Sequence, residues 1–290
     1  MPTPLPEDRN WAALAGVSRR AALAGGTAAL GFALAARPVA ASRITTAREG
    51  LAEGMGTFEA SGGFAMNVYA ARPATGTGHP VILVVQEIFG LHEWIRDIAR
   101  RLAHQGYFAL APDLFQRQGD PTRIADIPTL AREIVSRVPD AQVLADLDAA
   151  AAHAARTGGD ARRLGITGFC WGGRITWLHA AHAPALRAGV AWYGRLRGEA
   201  SALQPRHPID VAATLKAPVL GLYGGRDRGI PVADVEAMRE ALKRAGSLSA
   251  ITLFDDADHG FLADYRPSFH PEAAAAAWRE ALGWFATHLR

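Results

Sequence analysis

The stretch Leu164-Gly165-Ile166-Thr167-Gly168-Phe169-Cys170-Trp171-Gly172-Gly173 decides the fold. Its first four residues form a short apolar strand, and a segment of helical pattern begins after Trp171, so the chain must turn sharply between them. The turn reads Gly168-x-Cys170-x-Gly172, a nucleophile position flanked by glycines, with cysteine where serine often stands. Such an elbow strains its central residue and exposes that side chain above the carboxyl end of the sheet. The helix behind it aims its positive dipole end at the sulfur, which favours thiolate over thiol. A lone cysteine elsewhere reads as a small buried hydrophobe; strand, elbow and helix in this order make Cys170 a candidate nucleophile.

Outward from the elbow, short apolar runs alternate with longer segments of helical period. Val81 to Val85 is unbroken by polar residues, as expected of a strand buried on both faces. His92 to Gln105 then carries Trp94, Ile95, Ile98 and Leu102 on one helical stripe, and Phe108 to Ala111 returns as a strand. Further strands are expected at Ala188 to Trp192, Val219 to Tyr223 and Ile251 to Phe254. Helices are expected after Pro231 and from Pro271, and Pro121 to Thr157 reads as a helical excursion without a strand. The pattern is α/β, a mostly parallel central sheet with helices on both faces, and residues 42–290 read as one domain.

A cysteine nucleophile needs an imidazole to take its proton and a carboxylate to hold that imidazole. His259 follows the last expected strand, and Asp227 follows Val219 to Tyr223, both at the carboxyl rim where loops of such sheets build sites. Asp256 and Asp258, in the loop of His259 itself, compete with Asp227 as the orienting carboxylate. Glu87 follows Val81 to Val85 and is costly there unless paired. It reads either as a site carboxylate or as a cap on the following helix. The backbone N–H groups of Ile88 and Trp171 are candidates for receiving an oxyanion. Trp192 and Tyr193, ending another strand at the same rim, are candidate pocket walls. The sequence shows no metal-ligand spacing.

The 290 residues are 49% hydrophobic, enough for a full core, and carry a net charge of +3. Four arginines and two acids lie in the first 41 residues, so the remainder is close to neutral and lacks the broad basic field that nucleic acid requires. One cysteine excludes an internal disulfide framework. Residues 1–41 differ in kind. Ser18-Arg19-Arg20 precedes an uncharged Ala, Gly and Leu run from Ala21 to Ala36, and Val39-Ala40-Ala41 supplies small residues for cleavage. This reads as an export signal, twin-arginine in preference to Sec, and its run is short and weakly apolar for a permanent span. The expected location is periplasmic.

The mature chain resembles the dienelactone hydrolase family, carboxymethylenebutenolidases of the α/β-hydrolase superfamily. Five motifs match in order: Gln86-Glu87-Ile88-Phe89-Gly90, Ala111-Pro112-Asp113-Leu114-Phe115, Gly168-Phe169-Cys170-Trp171-Gly172-Gly173, Gly224-Gly225-Arg226-Asp227 and Asp258-His259-Gly260-Phe261. The resemblance implies Cys170 as nucleophile, His259 as base, Asp227 as its orienter and Glu87 as a carboxylate of the thiol region. It also implies hydrolysis of an enol-lactone without cofactor or metal. Where that family places a serine and a substrate-holding arginine after the histidine, this chain has Gly260-Phe261-Leu262-Ala263. Arg266 matches an arginine in a broader branch of the family, either replacing the lost charge or lying on the surface. The leading expectation is an exported ester or lactone hydrolase acting through a thiolester. A non-catalytic exported binding protein on the same scaffold is the alternative, and acyl transfer to another acceptor shares the same residues.

Overall fold

The computed structural model describes Thr46–Arg290, so the amino-terminal signal lies outside the described residues. Eight strands form one sheet in the order β1-β2-β4-β3-β5-β6-β7-β8. The parallel part contains β3 (His79–Val85), β4 (Phe108–Pro112), β5 (Gly159–Phe169), β6 (Leu186–Trp192), β7 (Val219–Gly224) and β8 (Ala250–Phe254). All six expected strands are present, several longer than their apolar cores. Val81 to Val85 is fully buried, as a strand covered on both sides must be.

The antiparallel hairpin of β1 (Leu51–Ala60) and β2 (Phe64–Pro73) was not legible beforehand. Its first strand, Leu-Ala-Glu-Gly-Met-Gly-Thr-Phe-Glu-Ala, is mostly exposed and holds two glycines, so little alternation marks it. β2 pairs antiparallel with β4 and joins the hairpin to the parallel sheet.

Among the described residues, seven α-helices accompany the strands: α1 (Glu93–His104), α2 (Ile127–Glu133), α3 (Asp140–Arg156), α4 (Trp171–His182), α5 (Pro208–Val211), α6 (Val232–Arg244) and α7 (Pro271–His288). The excursion between β4 and β5 is helical, as its pattern implied. Two glycines of β5 show that both faces are covered. A Cβ on Gly165 would meet Phe285 and Leu289, at the carboxyl end of the chain, whereas one on Gly168 would meet Gly172 and Thr176 of α4. Positions an odd number apart point to opposite faces of a strand, so α7 and α4 lie on opposite sides. Because the strands run parallel, their carboxyl ends share one rim, and every loop carrying a candidate residue emerges there.

Candidate active site

Cys170 is the junction between β5 and α4, with φ 57° and ψ −113°, a conformation that cysteine adopts only under constraint. Several backbone contacts impose it. The Cys170 N–H donates to the Trp192 carbonyl at 3.0 Å, while the Cys170 carbonyl accepts from Gly173 at 3.0 Å and Arg174 at 3.3 Å. A Cβ on Gly172 would lie 2.4 Å from the Val85 carbonyl oxygen, so only glycine lets the helix start this close to β3. The sulfur is therefore fixed over the first turn of α4, at the helix's positive end.

His259 arrives from the loop after β8, and its Nδ1 lies 2.7 Å from Oδ2 of Asp227, from the loop after β7. The two loops are tied together by an Arg226 N–H bond to the Ala257 carbonyl, at 2.9 Å. Asp227 is itself steadied by the Gly229 N–H, 2.8 Å from Oδ1. Asp256 and Asp258 are exposed, and Asp256 pairs with Arg226, so of the three rival carboxylates Asp227 is the one behind the ring. The imidazole also hydrogen-bonds the Cys170 side chain. Burial works against a charged imidazole, but the Asp227 carboxylate, the Cys170 sulfur and the hydrogen bonds to both outweigh it and push His259 up to about 10.

Glu87 lies just past β3, fully buried. It does not cap α1, which starts at Glu93 after His92. Its Oε1 accepts from Arg266 Nη2 at 2.9 Å and its Oε2 from the Tyr265 hydroxyl at 2.6 Å, with His92 Nε2 3.3 Å from Oε2. Burial alone would raise the carboxyl; the Arg266 guanidinium, with His92 and Tyr265, overrides it and holds Glu87 down at about 2. Arg266 is 3% exposed, which overturns the surface reading of this residue. Its charge is directed to Glu87, while its Nη1 is buried without a hydrogen-bond partner. Tyr265 and His92 were missed in the sequence. An aromatic beside Arg266 and a histidine before α1 carry no local sign of meeting a carboxylate at the end of β3.

The Ile88 N–H occupies the second position of a turn closed by the Gly90 N–H on the Glu87 carbonyl, 3.3 Å, and such a position is outside the turn's own bond. The Trp171 N–H heads α4, where leading amides have no intrahelical acceptor. Trp192 corrects an expectation. Its side chain is wholly buried, donates to Thr167 Oγ1 at 3.0 Å and packs against Phe169 and Trp278, so it belongs to the core and not to a pocket wall. Tyr193 stands edge-on to the His259 ring, centroids 5.1 Å apart. Among the described residues, no group of three or more His, Cys, Asp or Glu is placed to hold a metal ion, and no helix is long and apolar enough to cross a membrane.

The arrangement offers a sulfur, an imidazole and a carboxylate in series. Comparison with known proteins places the chain among dienelactone hydrolase relatives. Residues 66–289 match the model of the dienelactone hydrolase family. A Methylorubrum extorquens protein named "Putative carboxymethylenebutenolidase" is 55% identical over 279 residues, covering 96% of this chain and 95% of that protein. The Escherichia coli K12 protein of the same name is 54% identical over 256 residues, covering 88% and 94%. A Klebsiella pneumoniae crystal structure described as a "Putative Dienelactone Hydrolase" superposes with a TM-score of 0.80 at 56% identity, over 81% of this chain and 98% of that one.

Proposed function

The chain belongs to the dienelactone hydrolase family, and we propose that it is an exported member that hydrolyses a small-molecule ester or lactone through Cys170, His259 and Asp227. One observation carries this reading: a buried imidazole bonded on one side to a carboxylate and on the other to the chain's one cysteine, at a strained helix entry.

In this reading the Cys170 thiol gives its proton to His259, Sγ attacks the acyl carbonyl carbon as the carbonyl π pair moves onto oxygen, and the Ile88 and Trp171 N–H groups donate to the oxyanion that forms. The carbon–oxygen bond to the leaving group then breaks, and His259 gives its proton to the departing oxygen. The acyl group is left on sulfur as a thiolester. The sulfur's negative charge, one of the influences that holds the proton on His259, is then gone. The imidazole can now take a proton from water, and the resulting hydroxide attacks the thiolester. The carbon–sulfur bond breaks, the acid departs, and the protonated His259 again faces the sulfur. Asp227 keeps the ring in one orientation throughout.

We take the substrate to be a lactone or short-chain ester in general, since the run after His259, Gly260-Phe261-Leu262-Ala263, carries no arginine and Arg266 is engaged with Glu87. The test is hydrolysis of p-nitrophenyl acetate, a lactone series and dienelactone by the wild type beside Cys170→Ala. Loss of turnover in the variant is expected, and equal rates contradict covalent catalysis. For export, amino-terminal sequencing of the secreted form is expected to start near Ser42; a start at Met1 contradicts processing.

A further inference from the structure

The turn that presents the Ile88 N–H and the loop that carries His259 are fastened to each other. Ile88 lies inside the turn Glu87 to Gly90, whose closing bond, from the Gly90 N–H to the Glu87 carbonyl, is 3.3 Å, longer than the usual range. The turn sits against the elbow: a Cβ on Gly172 would lie 2.6 Å from the carbonyl oxygen of Gln86, the residue before the turn. Among the described residues no acceptor takes the Ile88 N–H. The direction of a free N–H on a loosely closed turn is set by what holds the residues beside it.

Arg266 holds both. On the amino side of Ile88, the Glu87 carboxylate accepts from Arg266 Nη2 at 2.9 Å. On the carboxyl side, the same guanidinium lies 5.2 Å from the centroid of the Phe89 ring, within the range of cation–π attraction. Tyr265 adds a third tie. Its hydroxyl donates to Glu87 Oε2 at 2.6 Å and accepts from Arg266 Nε at 3.1 Å, which fixes the guanidinium where it reaches both neighbours of Ile88. The side chains of Glu87, Tyr265 and Arg266 are all buried, so water does not compete for these contacts.

The clamp is in turn set by the loop of the base. The Ala263 N–H donates to the Gly260 carbonyl and the Arg266 N–H to the Ala263 carbonyl, each at 2.9 Å, so two successive turns fix Arg266 relative to His259. Asp264, between them, pairs with Arg101 of α1, whose Nε lies 2.7 Å from the buried Asp97. Resting on the hydrolase reading above, we propose that Arg266 and Tyr265 are positioning residues for the oxyanion donor. They grip the residues on either side of Ile88 and thereby hold its N–H in register with His259.

The test compares two reactions of Cys170 in the wild type, Tyr265→Phe and Arg266→Lys. Hydrolysis of p-nitrophenyl acetate passes through an oxyanion when the thiolester forms and again when it breaks. Alkylation by iodoacetamide displaces iodide from a tetrahedral carbon and forms none. Tyr265→Phe keeps the ring that packs edge-on against His92 and Trp94. Arg266→Lys keeps a cation for Glu87 but lacks the planar fork that also reaches Tyr265 and Phe89. A displacement of about 1 Å can lower a rate on the order of 10². In each variant kcat for the ester is therefore expected to fall by roughly ten- to a hundredfold, with KM and the alkylation rate within about twofold of wild type. Ester and alkylation rates that fall together indicate a general disturbance and overturn the proposal, as do an unchanged kcat and a loss confined to KM. If Arg266→Lys does not fold, Tyr265→Phe decides on the same terms. A wild type that is alkylated yet hydrolyses neither this ester nor the lactone series removes the hydrolase reading and this proposal together. An active wild type with variants equal to it removes the proposal alone.

Discussion

His259 and Glu87 are fully buried ionisable side chains held charged by opposite partners, and each ties stability to pH in its own direction. His259 is raised from 6.5 to about 10. Its contribution is complete below pH 6.5 and is lost as pH rises through 10. Asp227→Asn removes the main source of that shift. The variant is expected to show its largest stability deficit at and below pH 6.5, narrowing toward 10, by urea unfolding across pH. A deficit independent of pH would show that the ring is not held charged by Asp227. Activity of the same variant is expected to fall by up to about 10⁴, the scale seen when a triad carboxylate becomes an amide. Glu87 is lowered from 4.5 to about 2, so its contribution is present above pH 4.5 and disappears as pH falls through 2. Glu87→Gln leaves Arg266 as an unpaired buried charge, with an expected cost of about 3–5 kcal/mol at pH 7. That cost should shrink near pH 3, and an equal cost at both pH values contradicts the ion pair.

At the scale of elements, the close approach of α4 to β3 is set by the absence of a side chain at Gly172. Gly172→Ala brings a methyl into the Val85 and Gln86 carbonyls, 2.4 and 2.6 Å from where it would sit. Overpacking of this kind costs about 1–3 kcal/mol, and the shift falls directly on the elbow, so activity should drop further than stability. Gly283→Ala is the contrast: it is an exposed position in α7 with nothing within 4 Å, expected to gain about 0.5–1 kcal/mol. Urea midpoints of the two variants moving in the same direction would refute this account of the elbow. The sequence announced these elements unevenly, for a physical reason. Strands buried on both faces, such as Val81 to Val85, are continuous apolar runs, and the helices between them keep a clear period. The hairpin is an edge element, largely exposed in β1, and its alternation is too weak to read.

Across the whole molecule, the parallel strands bring loops from five points of the chain to one rim. Residue type and position past a strand singled out Cys170, His259 and Glu87 as candidates, and the structure brings all three to that rim. Asp227 is preferred over Asp256 and Asp258 because those two sit in the loop of His259 itself, where the backbone would have to fold back. The contact of Asp227 Oδ2 with His259 Nδ1 at 2.7 Å puts Asp227 behind the ring. The grouping of Tyr265, Arg266 and His92 around Glu87 joins side chains up to 179 residues apart and leaves no local trace. Trp192 looked like a rim residue because it ends a strand, but side chains alternate along a strand and its turn faces the core. The proposed chemistry centres on the sulfur of Cys170, and the most direct test of the account is intact-protein mass spectrometry during turnover of p-nitrophenyl acetate, followed by peptide mapping. The account predicts a transient gain of one acetyl group on the peptide containing Cys170, absent from Cys170→Ala. Full turnover with no adduct at any time after rapid acid quench, or an adduct on another residue, would contradict it.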